Sequence, residues 1–117
     1  MGACRIKLGL AALAAALVLG QSAADAASAE KGQALFMKYG CWQCHGTLGQ
    51  GAITGPKLAP DPLPFDALAN FVRTSTGQMP PYRQEVLPDA DLADIYAYLQ
   101  SIKPAADYKS IPLLNNK

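Results

Sequence analysis

Three residues near the middle of the chain have the types and the spacing to bind a cofactor covalently. Cys41, Cys44 and His45 form the pattern Cys-x-x-Cys-His, in which an imidazole directly follows the second of two thiols. Thiols three positions apart can add to the two vinyl groups at one edge of a porphyrin, and the adjacent imidazole can then reach the iron. The pattern predicts one covalently attached haem c, with His45 as an axial ligand of the iron.

Other uses of the cysteine pair are less consistent with the sequence. A thioredoxin-type site requires a βαβ context, which is missing, and does not need His45. Structural zinc takes four Cys or His ligands, whereas the chain from residue 27 onward has two cysteines and one histidine. A disulfide between Cys41 and Cys44 closes a loop too small to stabilise the fold much.

A second axial ligand can be sought by elimination. His45 is the single histidine of the chain, which leaves Met37 and Met79 as the methionines beyond residue 26. Met37 lies four residues before Cys41, on a helix leading into the motif, and we expect it to pack within that helix. Met79 follows His45 by 34 residues, far enough to reach the other face of a porphyrin. The alternative role for Met79 is ordinary core filling; we predict that it binds the iron.

Three amphipathic helices are predicted to position these residues. Apolar side chains recur at helical spacing in three segments, at about 29–39, in about ten residues from 65, and at about 89–102. Segments 46–64 and 74–88 are rich in glycine and proline, which predicts loops. No alternation typical of strands occurs. The predicted fold class is all-α, with long loops between the helices.

The first residues have the composition of a secretory signal. Arg5 and Lys7 precede an uncharged apolar run of 13 residues, 8–20, and small residues at Ala24 and Ala26 offer a cleavage site. The run is shorter than the about 20 residues that a spanning helix needs, although a retained N-terminal anchor is the alternative. We therefore expect a signal peptide over 1–26 and a periplasmic domain over 27–117, with membrane contact only during export.

The charge and size of the domain restrict its partners and its core. The chain has 10 basic and 9 acidic side chains, with a net charge of +1, so it lacks the basic excess of a nucleic-acid-binding protein. Residues 27–117 carry eight of each sign and all nine prolines. A chain this short and this rich in proline has little regular structure from which to build a core. A large cofactor can complete such a core.

Four motifs together resemble the class I cytochromes c of bacteria. They are the Cys-x-x-Cys-His segment, Gly55-Pro56-Lys57-Leu58, Met79-Pro80 and the helical segment 95–99, in that order. The resemblance covers roughly residues 30–103. It implies a cytochrome c-like fold in which three main helices and long loops are wrapped around one haem. It also implies that the Pro56 carbonyl accepts a hydrogen bond from the His45 ring.

The resemblance further implies where the helices meet. In this family the first and last helices cross, which in this chain brings Gly32 and Phe36 against Ile95 and Tyr98. The chain departs from the family's mitochondrial members, because it has no run of lysines to steer an acidic partner. It also has a short extension from 104, which either packs back over the domain or docks a partner. Trp42 and Tyr82 have two open roles, packing or contact with a haem propionate or partner.

These features together predict a carrier of single electrons in a respiratory chain and not an enzyme. Iron bound by both His45 and Met79 has no free position for a substrate. The expected role is a free shuttle or the electron-transfer subunit of a dehydrogenase. The expected partners are a dehydrogenase as donor and an oxidase or another cytochrome as acceptor. The alternative is a haem enzyme or a gas-binding sensor in which the sixth position is open or labile.

Overall fold

The computed structural model describes residues 26–115, and this part of the chain is mostly helical. The helices are α1 (Ala29–Lys38), α2 (Cys41–His45), α3 (Phe65–Thr74) and α4 (Asp89–Ser101), followed by 3-10 turns at Tyr108–Ser110 and Pro112–Leu114. No strand forms between residues 26 and 115, where Ala52 and Gly55 make an isolated bridge. The all-α prediction is confirmed for this part of the chain. The expected signal peptide lies outside the described residues, apart from Ala26.

The ends of the three long helices follow from the residues that flank them. Ser28 caps α1 by accepting a hydrogen bond from the Lys31 amide at 3.3 Å. Pro64 directly precedes α3 with a φ of −49°, and its ring restricts it to such values. All three predicted ranges are correct to within about two residues. The short helix α2 was not predicted; Gly40, with a φ of 78°, makes the turn that separates it from α1.

Helices α1 and α4 cross at the positions that the resemblance implies. Gly32 lies against the backbone of Asp94 and Ile95, and a Cβ at residue 32 would overlap the Asp94 carbonyl. The rings of Phe36 and Tyr98 pack beside this contact, with their centroids 5.6 Å apart. The absence of a side chain at Gly32 therefore lets the backbones of α1 and α4 approach closely.

Polar contacts tie the start of α1 to α4 beside the crossing. The buried carboxylate of Asp94 accepts a hydrogen bond from the Ser28 amide at 2.7 Å and pairs with Lys31 at 3.0 Å. These contacts, led by the hydrogen bond from the Ser28 amide, hold the pKa of Asp94 below its usual value. The buried carboxylate therefore stabilises the folded state in its charged form.

The first long loop, residues 46–64 between α2 and α3, folds back on α2 and contacts α4. The Gly51 amide donates to the His45 carbonyl at 2.7 Å, and the Leu58 amide donates to the Gly49 carbonyl at 2.7 Å. The Tyr98 hydroxyl of α4 donates to the Thr47 carbonyl at 2.9 Å. Although it has no regular helix, as predicted, this loop is held by specific backbone hydrogen bonds.

The C-terminal extension does not cover the helices. Its two 3-10 turns contact each other and none of α1 to α4, and Leu113 is 85% exposed. The expectation that the extension packs back over the domain is therefore wrong for the two turns; docking of a partner stays a prediction. Across residues 26–115, the longest apolar helical stretch falls short of what a membrane crossing requires.

Candidate cofactor site

A cavity of about 660 Å³ lies among the helices, and every residue predicted to bind the cofactor lines it. These residues are Cys41, Cys44, His45, Pro56 and Met79. Much of the remaining wall consists of buried apolar side chains from α1, α3, α4 and the second long loop, residues 75–88. They are Phe36, Leu68, Val72, Leu87, Leu92, Ile95 and Leu99. The fold thus brings segments that are distant in sequence to one apolar chamber.

Helix α2 positions the two thiols on one side of the cavity. Residues three apart lie on the same face of a helix, so Cys41 and Cys44 both reach the chamber. Neither forms a disulfide. Burial raises the pKa of the Cys41 thiol to about 11. Reactive and redox-active cysteines need the opposite shift, so the environment of Cys41 does not fit a thioredoxin-type site.

The imidazole of His45 is buried and fixed in orientation by the first long loop. Its Nδ1 lies 2.8 Å from the carbonyl oxygen of Pro56, which is the contact that the resemblance implies. A carbonyl can only accept, so Nδ1 carries the proton and Nε2 keeps the lone pair that a metal requires. The packing of Gly55 against α2 sets the position of Pro56, since a Cβ at residue 55 would lie 2.5 Å from the Cys44 carbonyl oxygen.

The two methionines have different surroundings. Met79 is half-buried, packs against the core and lines the cavity. Met37 is 41% exposed and is not part of the cavity wall. Met37 lies outside the buried core, because it is rotated by about 100° around α1 from the buried Phe36. Its exposure agrees with the elimination that selects Met79.

Sequence reasoning missed the residues that anchor the loop carrying Met79. The Ser75 hydroxyl donates to the Met79 carbonyl at 2.9 Å, and Arg73 Nη1 donates to the Tyr82 carbonyl at 2.8 Å. The Tyr82 amide donates to the Val72 carbonyl at 2.9 Å. All three acceptors are backbone carbonyls, which any residue supplies, so no pattern of residue types indicated these contacts.

The structure also places the two aromatic residues whose roles were open. Tyr82 lines the cavity and donates its hydroxyl hydrogen bond to the Tyr39 carbonyl at 2.8 Å. Trp42 is 39% exposed on α2 and is not part of the cavity wall. Tyr82 therefore packs at the edge of the cavity, while Trp42 presents a large part of its indole to solvent. Contact with a haem propionate or a partner stays a prediction for both residues.

The donor set and the cavity wall fit a porphyrin. Two free thiols, one oriented imidazole and one thioether line a predominantly apolar chamber, as a largely apolar macrocycle with a central iron requires. Within the described part of the chain, no group of three or more His, Cys, Asp or Glu side chains could bind a metal ion by itself.

Comparison with known proteins identifies the relatives of the chain. Residues 27–99 match the family model described as cytochrome c oxidase, cbb3-type, subunit III. The cbb3-type cytochrome c oxidase subunit CcoP of Helicobacter pylori is 31% identical over 86 residues, which cover 67% of this chain. The same subunit from Helicobacter pylori strain 52 is 30% identical over 86 residues. This chain spans 29% of the length of each relative. No solved structure gives a significant match.

The family match covers most of the described residues and includes α1 to α3 and nearly all of α4. It also contains the Cys-x-x-Cys-His segment, which is the attachment motif for a covalently bound haem. The resemblance to cytochromes c is therefore confirmed. The chain belongs to the cytochrome c oxidase, cbb3-type, subunit III family, and its cofactor is a covalently bound c-type haem.

Proposed function

We propose that the chain is a periplasmic electron-transfer domain whose haem iron is bound by His45 and Met79. Cys41 and Cys44 hold the porphyrin through thioether bonds, and Pro56 orients the His45 ring. The observation that carries this proposal is that all five residues line one apolar cavity, with Nδ1 of His45 already bonded to Pro56. The helices and long loops enclose the haem in this arrangement.

The proposed ligand set explains why the domain transfers electrons and does not turn over a substrate. When bound, the haem supplies a one-electron couple between ferric and ferrous iron. With both His45 and Met79 bound to the iron, no position would be left for oxygen or a substrate. The neutral thioether of Met79 raises the reduction potential by favouring ferrous iron. The wall of the cavity is largely apolar, so it would shield the ring from water.

The relatives support a respiratory role. The two curated relatives are subunits of a cbb3-type cytochrome c oxidase, and the chain matches 29% of their length. We propose that this domain passes electrons to an oxidase of that type, as a free shuttle or as a subunit, and receives them from a dehydrogenase or another cytochrome. The proposed domain spans 27–117 and reaches the periplasm after removal of the signal peptide, 1–26.

Absorption spectroscopy and carbon monoxide binding of the purified holoprotein identify the ligands of the iron and so test the proposal. We expect low-spin ferric protein with a weak far-red sulfur-to-iron charge-transfer band, and poor binding of carbon monoxide by the ferrous protein. Met79→Ala should abolish the band, admit carbon monoxide and lower the potential, within the roughly 0.8 V that axial ligands span. Met37→Leu, which changes an exposed methionine outside the cavity, should leave all three unchanged.

Two results would overturn this assignment. A band that disappears in Met37→Leu and persists in Met79→Ala would exchange the roles of the two methionines. High-spin wild-type protein that binds carbon monoxide avidly would show an open sixth position. The haem enzyme or gas-binding sensor would then replace the electron carrier.

A further inference from the structure

We propose that Ser75 is a positioning residue that keeps the Met79 thioether on the iron. The inference rests on the proposed ligation by Met79 and assigns a role to a residue outside the ligand set. A thioether is a weak, neutral ligand, so its occupancy depends on how often the surrounding loop adopts the binding conformation. The residue that restricts this loop therefore controls how readily the sixth position opens.

Ser75 combines a rigid backbone with a direct contact to Met79. It is the first residue after α3, and its amide donates to the Phe71 carbonyl at 2.9 Å, which fixes it to the end of the helix. Its side chain is buried, with 7% of the residue exposed, and its hydroxyl donates to the Met79 carbonyl at 2.9 Å. The position of the Met79 backbone is thus set by a group that belongs to a helix end.

The rest of the loop shows why this contact matters. At its far end the loop is held through Tyr82, whose amide and carbonyl bond to Val72 and Arg73. Residues 76–78 between Ser75 and Met79 are exposed, and a Cβ at Gly77 would have no neighbour within 4 Å. Other protein groups therefore restrain residues 76–78 little, whereas the hydrogen bond from Ser75 holds the backbone of Met79 itself.

The test measures how fast imidazole displaces Met79 from the ferric holoprotein. Imidazole can bind only when the thioether has left, so its binding reports the open fraction of the loop. We expect Ser75→Ala to speed imidazole binding by about tenfold, the factor for one lost hydrogen bond. Ser101→Ala is the matched control, because it deletes the same atom from a serine that donates to the Tyr98 carbonyl at 2.7 Å, outside the cavity wall.

A second pair of variants keeps the test independent of the effect of alanine on folding. Ser75→Thr and Ser75→Val have nearly the same shape and differ in the hydroxyl group. We expect Ser75→Thr to bind imidazole more slowly than Ser75→Val. Equal rates in this pair, or wild-type rates in Ser75→Ala, would overturn the positioning role. So would a lower melting temperature of Ser75→Ala without faster imidazole binding, because a merely structural bond would give that result.

The far-red band distinguishes this inference from the ligation on which it rests. If wild-type protein lacks the band, or Met79→Ala retains it, the proposed ligation fails and the role of Ser75 fails with it. If the band depends on Met79 but imidazole binding does not depend on Ser75, only the present inference is overturned.

Discussion

The Nδ1 atom of His45 lies 2.8 Å from the carbonyl oxygen of Pro56, so a loop residue fixes the orientation of a ring that belongs to α2. The bond joins residues 11 positions apart and directs the other nitrogen, Nε2, to metal binding. Its geometry depends on Gly55, which lies against the Cys44 carbonyl without a side chain between them. The cysteine motif and the first long loop therefore form one structural unit.

Adding a methyl group at Gly55 should disturb this unit. The new Cβ of Gly55→Ala would lie 2.5 Å from the Cys44 carbonyl oxygen and push the loop away from α2. Loss of the hydrogen bond to Pro56 makes the imidazole less basic, and such losses weaken metal binding by about 10–100-fold. We expect a higher reduction potential, because a less basic ligand stabilises ferric iron less, together with a lower yield of holoprotein.

Ala67→Ser provides the control for this change, because it adds one atom to an exposed residue of α3 outside the cavity wall. This variant should retain the wild-type potential and yield. A wild-type potential and yield in Gly55→Ala would show that the loop can move without disturbing His45.

The helix crossing should be equally sensitive to a single methyl group. The Cβ of Gly32→Ala would overlap the Asp94 carbonyl, and both partners are backbone groups of packed helices. Overpacking of this kind costs typically about 1–3 kcal/mol of unfolding free energy. Chemical denaturation of the holoprotein, compared with wild type, should show this loss. An unchanged unfolding free energy in Gly32→Ala would mean that α1 and α4 can move apart without loss of stability.

The Asp94 carboxylate should make the stability of the protein depend on pH in the acid range. Its pKa is lowered in the folded state, so its contribution is present above the unfolded pKa, about 3.9, and is lost as the pH falls through the lower folded value. Asp94→Asn should lose about 1–3 kcal/mol of stability at neutral pH, with a smaller difference from wild type below about pH 4. Thermal unfolding at several pH values measures this difference.

The exposed Asp66, in the first turn of α3, gives a control for general charge effects. Asp66→Asn should lower stability at neutral pH much less than Asp94→Asn does. A constant difference between wild type and Asp94→Asn down to about pH 3 would contradict a stabilising charged form of Asp94.

The two cysteines should be required for retention of the haem under denaturing conditions. Cys41→Ser or Cys44→Ser removes one thioether bond, and the double variant removes both. We expect weaker haem staining after denaturing electrophoresis for each single variant and none for the double variant. Circular dichroism should show less helix in the double variant, because the 660 Å³ cavity between the helices, the proposed haem site, would lose the group that completes the core. Normal helicity without haem would contradict this.

Electron transfer to an oxidase should depend weakly on salt. From Ala27 onward the chain carries eight acidic and eight basic side chains, so it has no large net charge with which to attract a partner. Between low and physiological ionic strength we expect the rate to change by less than about threefold. Stopped-flow measurements with a cbb3-type oxidase provide the test, and a steep decrease would reveal a local charged patch in the contact.

The sequence by itself determined the cofactor and the helices. Attachment of haem depends on residues that are neighbours in the chain, so Cys41, Cys44 and His45 identify it without a fold. Helical periodicity is also local, and for this reason the ranges of α1, α3 and α4 were predicted to within about two residues. The choice of Met79 over Met37 as a ligand followed from composition and spacing, and it stays a prediction.

Only the tertiary structure decided which residues hold the site in place. The groups that anchor the loop carrying Met79 are the Ser75 hydroxyl and Arg73 Nη1, and both donate to backbone carbonyls, which carry no signature of residue type. The exposure of Met37 and of the C-terminal extension depends on which surfaces the other elements cover. Such contacts join residues that are separated in the chain, so they are set by the packing of the helices and loops and not by any local pattern of the sequence.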